Sequence, residues 1–337
     1  MLHRISRLLT LASIAAVAAC SSSQSALAPA ASPGADHIVR FGGQIVRFGG
    51  PSRRVQPDAG WFSAAAKTRS LLYAASYDGG YINIYPEAGS NQKPIGKLTS
   101  SLVSPQGVVV DRRRNLWVAN TNAFNVVGFR HGATKPFTTL LDPNYYPVSV
   151  AVDGNGTVYA ANAESKTGPP GNVTVWTKGH TNSTGTLTYS NFQIVLGSGV
   201  DASNDVFVSY IPKSGPPALV EFPAGSTTGQ PVAIQQANIG DMSFDKQKNL
   251  LMETLSNNLG IWAPPYTSLP TRTIPAFGNE PTLDKSQHKV WIAYANFSTP
   301  MVEGYDYTTG KQVDVITNGW TSSAVPYGVA LDPPLVP

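Results

Sequence analysis

The sequence predicts an all-β protein, and three observations support this prediction. Short alternating apolar runs, rich in Val, Thr and Tyr, are bounded by Gly, Pro, Asn and Asp, as strands and their turns are. Helical periodicity is almost absent from the body of the chain. Three sequence elements recur six times each at similar spacing, which is typical of a fold built from repeated sheets.

The chain begins with the features of an export signal. Arg4 and Arg7 give a positive start, residues 8–19 are mostly apolar but too short to span a bilayer permanently, and small residues precede Cys20. The cysteine at the predicted cleavage point resembles the lipobox of bacterial lipoproteins, which implies acyl chains on its thiol and on the new terminal amine. Several acyl chains give stable anchoring, whereas one chain binds a membrane only marginally. We therefore expect removal of residues 1–19 and lipidation of Cys20.

Cys20 is the only cysteine in the chain, so no intramolecular disulfide can form. The alternative is an ordinary signal peptide followed by an unmodified cysteine, but modification better explains a single thiol placed at the cleavage point. The expected location is the bacterial cell envelope, with a lipid anchor in a membrane: the outer membrane, at its periplasmic face or at the cell surface.

Residues 20–60 are predicted to be a flexible tether, because Ser, Ala, Pro and Gly dominate them and cannot bury a core. The tether contains a duplication, Ile-Val-Arg-Phe-Gly-Gly at residues 38–43 and again at residues 45–50. Two copies are too few for a solenoid. We interpret them as a short duplication within the linker, with a strand or a partner-binding segment as the alternative.

The charge of the chain indicates no nucleic-acid partner. The formal net charge is +4, and removing Arg4 and Arg7 lowers it to +2, without the broad basic face of a nucleic-acid-binding protein. The remaining basic clusters are expected to contact anionic lipid headgroups or to keep the chain solvated. They comprise Arg40, Arg47, Arg53 and Arg54 in the tether and Arg112, Arg113 and Arg114 in one turn.

The repeats lie in residues 61–334, the predicted folded domain. One element is an apolar strand ending in Asp, a second resembles Leu-Trp-Val-Ala, and a third ends in an aromatic residue. Successive aspartates are 42, 48, 44, 39 and 48 residues apart, which is the length of one four-stranded blade of a β-propeller. These aspartates are Asp111, Asp153, Asp201, Asp245, Asp284 and Asp332.

The phase of the repeat predicts how the propeller closes. The first copy, which begins at Leu71, lacks its Asp-ended strand, and the last such strand, residues 326–332, has no followers. The C-terminal strand can therefore complete the first blade, which leaves no open radial edge. We predict six blades closed in this way, with seven as the alternative if the duplicated segment adds strands.

The repeat resembles NHL and YVTN-type propellers and, more loosely, the SMP-30/gluconolactonase group. The resemblance covers most of residues 70–332. It rests on Pro-Gln-Gly-Val-Val-Val-Asp at 105–111, Leu-Trp-Val-Ala-Asn at 116–120 and Pro-Tyr-Gly-Val-Ala-Leu-Asp at 326–332. Such motifs specify a fold well and a function poorly.

The repeated aspartates could suggest calcium loops. Asp153 and the Gly-Asn-Gly that follows resemble the start of such a loop, with Glu164 at its twelfth position. However, the sixth position is Val158 rather than Gly, and it begins a strand. We therefore interpret the aspartates as residues of tight hairpin turns.

Blade geometry predicts where a ligand binds. Residues just before the inner strand and just after the second strand gather around one mouth of the central channel, which we call the upper mouth. The residues before the inner strands are Gln106, Ser149, Ser198, Asp241, Glu280 and Tyr327. The residues after the second strands are Asp78, Asn120, Asn162, Tyr210, Thr254 and Asn296. The candidate ligand-binding residues are Gln106, Asn120, Asn162, Asp241, Glu280 and Tyr327.

A divalent cation is one ligand that this mouth suits. Asp241 and Glu280 come from neighbouring blades, and carboxylates with the amides of Asn120 and Asn162 are oxygen ligands of the kind that Ca²⁺ or Mg²⁺ takes. The resemblance to the gluconolactonase group implies a metal at this mouth that assists lactone hydrolysis. The sequence departs from that group, because its blade starts lack the Glu-Gly-Pro element.

No catalytic residue can be assigned from the sequence. The upper mouth has no His, on which virginiamycin-type propeller lyases rely, and the chain shows no nucleophile elbow or phosphate loop. Two function classes remain. The first is a monomeric, non-catalytic envelope propeller that binds or scaffolds a protein, a glycan or a small molecule; the alternative is a metal-dependent hydrolase of the gluconolactonase kind.

Overall fold

Short strands joined by tight turns account for nearly all regular structure in residues 36–41, 44–49, 60–238 and 240–335, which this computed structural model describes. Within those residues, the only helices are two short 3-10 segments, η1 (Ala64–Lys67) and η2 (Thr121–Ala123). None of the helices in this part of the chain is long and apolar enough to cross a membrane. The predicted all-β class is confirmed.

Six antiparallel sheets form the blades of a propeller, each with its inner strand at the central channel. Blade 1 comprises β27 (Gly328–Asp332), β4 (Leu71–Ser76), β5 (Tyr81–Pro86), β6 (Gly96–Leu98) and β3 (Trp61–Phe62). Blade 2 comprises β7 (Pro105–Val110), β8 (Leu116–Asn120), β9 (Asn125–Phe129) and β10 (Pro136–Leu141). Blade 3 comprises β11 (Tyr145–Val152), β12 (Val158–Ser165), β13 (Asn172–Trp176) and β14 (Gly185–Leu187).

The other three blades repeat the same order. Blade 4 comprises β15 (Phe192–Val200), β16 (Val206–Pro212), β17 (Ala218–Phe222) and β18 (Gln230–Val232). Blade 5 comprises β19 (Ser243–Phe244), β20 (Leu250–Glu253), β21 (Leu259–Trp262) and β22 (Arg272–Ile274). Blade 6 comprises β23 (Asn279–Leu283), β24 (Lys289–Tyr294), β25 (Met301–Asp306) and β26 (Gln312–Ile316). Neighbouring inner strands contact each other around a complete ring.

The C-terminal strand closes the ring, as the phase of the repeat predicts. β27 pairs with β4 in a continuous antiparallel register, from Gly328 opposite Ala75 to Asp332 opposite Leu71. The buried Asp332 also accepts a hydrogen bond from Nε of Arg114 at 2.5 Å and contacts His131, so it joins blade 1 to blade 2. Six blades closed by this strand are therefore confirmed, with β3 as an additional outer strand.

The repeated aromatic residues pack between blades. Trp176 of blade 3 is fully buried in one cluster with Ala119 and Val126 of blade 2. Trp291 of blade 6 is fully buried beside Leu72 of blade 1. Because a fully buried large apolar side chain contributes about 1.5–3 kcal/mol, these residues hold neighbouring blades together.

The repeated aspartates cap their own turns. Oδ1 of Asp153 accepts hydrogen bonds from the backbone N–H groups of Asn155 and Thr157, both at 2.8 Å. Asp111, Asp201 and Asp245 accept the same pair of bonds two and four residues later. This is hairpin-turn geometry and not a calcium loop.

The duplicated segment forms a separate β-hairpin rather than part of a blade. Its strands are β1 (Asp36–Phe41) and β2 (Gln44–Gly49), which pair only with each other among the described residues. The seven-blade alternative is therefore wrong, and residues 36–41 and 44–49 are strands within what the sequence predicts as a tether. The physical reason is local: each copy contains an apolar Ile-Val pair and a Phe, which can bury against a surface when two copies pair.

Candidate functional site

The hairpin lies over the upper mouth, and Phe48 is its apolar anchor. The Phe48 side chain is 1% exposed and packs in a pocket formed by blades 3 and 4. Its ring centroid lies 5.8 Å from that of Tyr146. The other buried residues of the pocket are Val148, Ala163, Ile194, Leu196 and Ile211.

Arg47 extends from the hairpin towards blade 1. Its guanidinium donates to Oδ1 of Asp78 at 2.5 Å and also pairs with Asp36. The guanidinium carbon lies 5.4 Å from the ring centre of Tyr77, within the range of a cation–π interaction. The expectation that Arg47 contacts lipid or solvent is therefore corrected, since nearby acids and an aromatic ring attract its charge. The same correction applies to Arg114, which pairs with Asp332.

Gly49 is held through its backbone. Its N–H donates to Oδ1 of Asn122 at 3.2 Å, and its carbonyl accepts from Nδ2 of Asn122 at 3.1 Å and from the Tyr77 hydroxyl at 3.0 Å. Asn122 belongs to η2 of blade 2, directly after the second strand. The φ of Gly49 is +76°, a conformation that strongly favours glycine.

Two of the predicted ligand residues contact the hairpin or its arginine. Gln106 accepts a hydrogen bond from the Arg47 backbone N–H at 3.4 Å and donates another to the Arg47 carbonyl oxygen. A further bond, from Nε2 to the Thr121 hydroxyl at 2.9 Å, fixes the orientation of the Gln106 amide. Tyr327 is buried, and its ring centroid lies 5.7 Å from that of Tyr77. It lies close enough to Arg47 to interact electrostatically with the guanidinium.

Asp241 and Glu280 lie inside the channel rather than at its rim. They line a cavity of about 130 Å³ that is bounded by the inner strands and extends to the Asp-ended turns. Glu280 accepts a hydrogen bond from the backbone N–H of Val108 in blade 2 at 2.8 Å and another from that of Val329 in blade 1. The Glu280 carboxyl group therefore links blade 6 to blade 1 and, beyond it, to blade 2.

Burial controls the ionisation of these two acids. It raises the pKa of Asp241 to about 7, although the Ser149 hydroxyl and the Ser198 backbone N–H favour the charged form. Burial also raises the pKa of Glu280 well above its ordinary value, and the nearby charge of Asp241 raises it further. Asp241 is therefore partly protonated at neutral pH.

Asn120 and Asn162 are bonded within their own parts of the ring. Nδ2 of Asn120 donates to the carbonyl oxygen of Ser101 at 2.8 Å, and its Oδ1 accepts from the backbone N–H of Val103 at 2.6 Å. Nδ2 of Asn162 donates to Asn172 at 2.7 Å. Both amides thus brace the ends of second strands, and their contact with a ligand stays a prediction.

The residues do not fit the predicted four-residue cation site well. Asp241 and Glu280 share the channel, but both polar atoms of the Asn120 amide and the amide nitrogen of Asn162 are engaged with protein groups. In the described ranges, no group of three His, Cys, Asp or Glu side chains lies close enough together to hold a metal ion. Cys20, the predicted lipidation site, lies outside the described residues.

The residues of the hairpin that contact the mouth were not predicted from the sequence. Arg47, Phe48 and Gly49 fell in the predicted tether, and their partner Asn122 lies two residues beyond the predicted position in blade 2. The one available signal was the duplication, whose repeated Phe is unusual in a solvated linker. Its docking position depends on contacts between residues distant in sequence, so the pattern alone does not give it.

No protein-family model matches the chain, and no curated protein matches it. Among solved structures, one chain of a nidogen/laminin complex matches with a TM-score of 0.61 and 13% identity, over 78% of this chain and 98% of that one. A chain of hydrazine synthase from Kuenenia stuttgartiensis matches with a TM-score of 0.52 and 12% identity, over 70% and 73% of the two chains. At such identities the likeness shows the fold alone. The protein is a six-bladed β-propeller.

Proposed function

We propose that the protein is a membrane-anchored, non-catalytic binding module of the bacterial cell envelope, held by lipid on Cys20 and binding its ligand at the upper mouth. The export signal, the position of the sole cysteine and the resemblance to the lipobox support the anchor. The propeller supports the binding role, because its mouth gathers side chains from several blades into one surface.

The observation that carries the binding role is that the upper mouth already holds an extended polypeptide segment. Gln106 and Asn122 of blade 2 bind the backbone of Arg47 and Gly49, and Asp78 of blade 1 binds the Arg47 guanidinium. These groups are positioned for recognition. The two acids of the channel, in contrast, hold backbone groups of the ring or lie close to them.

Replacing Cys20 tests the anchor. Cys20→Ser should leave an unprocessed or soluble protein, because the acyl chains can no longer be attached. The measurement is fractionation of cells that express either chain, with immunodetection and the mass of the mature N-terminus as readouts. A variant that is processed normally and sediments with membranes like the wild-type protein would contradict the anchor.

A second candidate function is metal-dependent hydrolysis of a lactone, and the pairing of Asp241 with Glu280 favours it. Two nearby carboxylates with raised pKa values would be relieved of repulsion by a bound cation. If this function holds, millimolar Ca²⁺ or Mg²⁺ should raise the melting temperature by mass action, and Asp241→Asn/Glu280→Gln should lose that response.

The proposed binding function predicts the opposite result. Neither ion should shift the melting temperature beyond a matched ionic-strength control, and a panel of lactones should show no turnover. Turnover that stops on addition of a chelator and is absent in Asp241→Asn/Glu280→Gln would replace the binding function with the hydrolase.

A further inference from the structure

We propose that the upper mouth is a recognition site for an extended Arg-Phe-Gly peptide segment and that residues 47–49 fill this site within the molecule. The inference rests on the proposed binding function and adds the chemical class of the ligand. Three consecutive residues of β2 each contact a different set of groups on the ring, with Tyr77 shared by Arg47 and Gly49.

The arginine position combines a carboxylate with an aromatic face. Asp78 accepts a hydrogen bond from the guanidinium of Arg47 at 2.5 Å, and the ring of Tyr77 lies 5.4 Å from the guanidinium carbon. The side chain of Asp78 is only 8% exposed, so its charge is poorly screened by solvent. A planar guanidinium fits both contacts, whereas an acidic side chain here would be repelled.

The phenylalanine position is an apolar pocket between blades 3 and 4. Tyr146, Ile194 and Ile211 surround the buried Phe48 ring. A pocket built by two blades has a fixed width, because the blades are held in register by the closed ring. It therefore favours one aromatic side chain over a polar one.

The glycine position selects backbone rather than side chain. Asn122 binds both the N–H and the carbonyl of Gly49, at 3.2 Å and 3.1 Å. The positive φ of Gly49 makes any β-branched residue there strained. Gln106 similarly binds both backbone groups of Arg47, which is how a neighbouring strand recognises an extended peptide.

The duplication supplies a second copy of the same ligand. Arg-Phe-Gly occurs at residues 40–42 and again at residues 47–49, and the contacts described above are those of the second copy. A ligand on the same chain is present at an effective concentration of about millimolar, so a free peptide must compete with it. The site is thus self-occupied and opens only when the hairpin is displaced.

Peptide binding to the full-length protein in detergent tests the proposal. The probe is a fluorescent peptide, Gln-Ile-Val-Arg-Phe-Gly-Gly, followed by anisotropy. The opened protein is Arg40→Ala/Phe41→Ala/Arg47→Ala/Phe48→Ala, in which neither copy can fill the site. We expect this variant to bind the peptide at least tenfold more tightly than the wild-type chain does.

Matched controls separate specific recognition of the peptide from nonspecific binding. Arg40→Ala/Phe41→Ala keeps residues 47–49 and should bind the peptide as weakly as the wild-type chain. Peptides with Glu in place of Arg, or Val in place of Gly, should bind the opened variant at least tenfold more weakly. An opened variant that keeps its strand circular dichroism but does not bind, or that binds the Glu peptide equally well, overturns the proposal.

A second measurement applies if the opened variant does not fold. Asn122→Ala removes two hydrogen bonds to Gly49 and should speed amide hydrogen exchange in residues 44–49 at least tenfold. Excess unlabelled peptide added to the wild-type chain should do the same, whereas the Glu peptide should not. Unchanged exchange in both experiments overturns the proposal. If these experiments fail and no lactone is turned over, only the proposed peptide ligand is overturned. Chelator-sensitive turnover, in contrast, overturns the proposed binding function.

Discussion

At the scale of single residues, the channel is defined by two acids that the fold keeps from ionising fully. Asp241 and Glu280 are surrounded by the inner strands, and the charge of Asp241 raises the cost of charging Glu280. Hydrogen bonds from the backbone N–H groups of Val108 in blade 2 and Val329 in blade 1 offset part of the cost of charging Glu280. The two residues therefore couple the stability of the ring to pH.

Asp241→Asn should change how the stability of the folded protein depends on pH. The folded pKa of about 7 lies above the ordinary value of Asp, so between about pH 4 and pH 7 the folded protein binds more protons than the unfolded chain. The contribution of Asp241 to stability is therefore full below about pH 4 and is lost as the pH rises to 7, at up to about 1.4 kcal/mol per unit. We expect Asp241→Asn to match the wild-type melting temperature at pH 4 and to exceed it by several degrees at pH 8.

Asp306→Asn is a control of opposite sign. The pKa of Asp306 is lowered by hydrogen bonds from the backbone and hydroxyl of Thr309, so its stabilising contribution is present above about pH 4 and is lost on acidification. This variant should be less stable than the wild-type chain at pH 7 and equal to it in strong acid. Melting curves of Asp241→Asn that track the wild-type chain from pH 4 to pH 8 would show that the buried acid is not perturbed.

At the scale of elements, β27 and the hairpin are the two segments that act far from their sequence neighbours. β27 joins blade 1 across the whole length of the domain, and the hairpin contacts blades 1 to 4. The repeat predicted the first because an incomplete first copy and an orphan last copy complement each other. The repeat could not predict where the hairpin packs, since an apolar segment indicates that its side chains will be buried but not against which surface.

Truncation before Val325 should destabilise the ring severely. It removes the buried strand β27 and the ion pair of Asp332, leaves the inner edge of β4 unpaired, and removes the contacts of β27 with β7 and β23. The expected loss is several kcal/mol, comparable to the whole stability of a typical domain. Thermal unfolding followed by circular dichroism measures it.

A chain that lacks only residues 336–337 is the matched control and should melt like the wild-type protein. Asp332→Asn should have an intermediate effect, because it keeps the strand and removes the contacts with Arg114 and His131. A truncated chain with an unchanged melting temperature would show that blade 1 does not need the C-terminal strand.

At the scale of the whole molecule, the sequence predicted the fold better than the site. Blade number follows from local patterns, in which each apolar strand ends in an Asp, such as the turn-capping Asp153, and each third strand ends in a buried aromatic such as Trp176. The ligand site depends instead on which polar side chains are already hydrogen-bonded within the protein. Asn120 and Asn162 precede the right turns, but their amides bond to protein neighbours, and no spacing in the sequence indicates that.

The closing strand also has a consequence for how this protein reaches its folded state. Residues 71–75 pair with residues 328–332, so blade 1 cannot be completed until nearly the whole domain is available. When a polypeptide emerges from a ribosome or a translocation pore N-terminus first, the inner edge of β4 has no pairing strand until β27 has emerged. Contacts so distant in sequence slow folding, because the entropy of closing the loop is lost before any pairing is gained. A chain exported in the unfolded state would benefit, since a partly emerged domain of this kind cannot lock into its final shape prematurely.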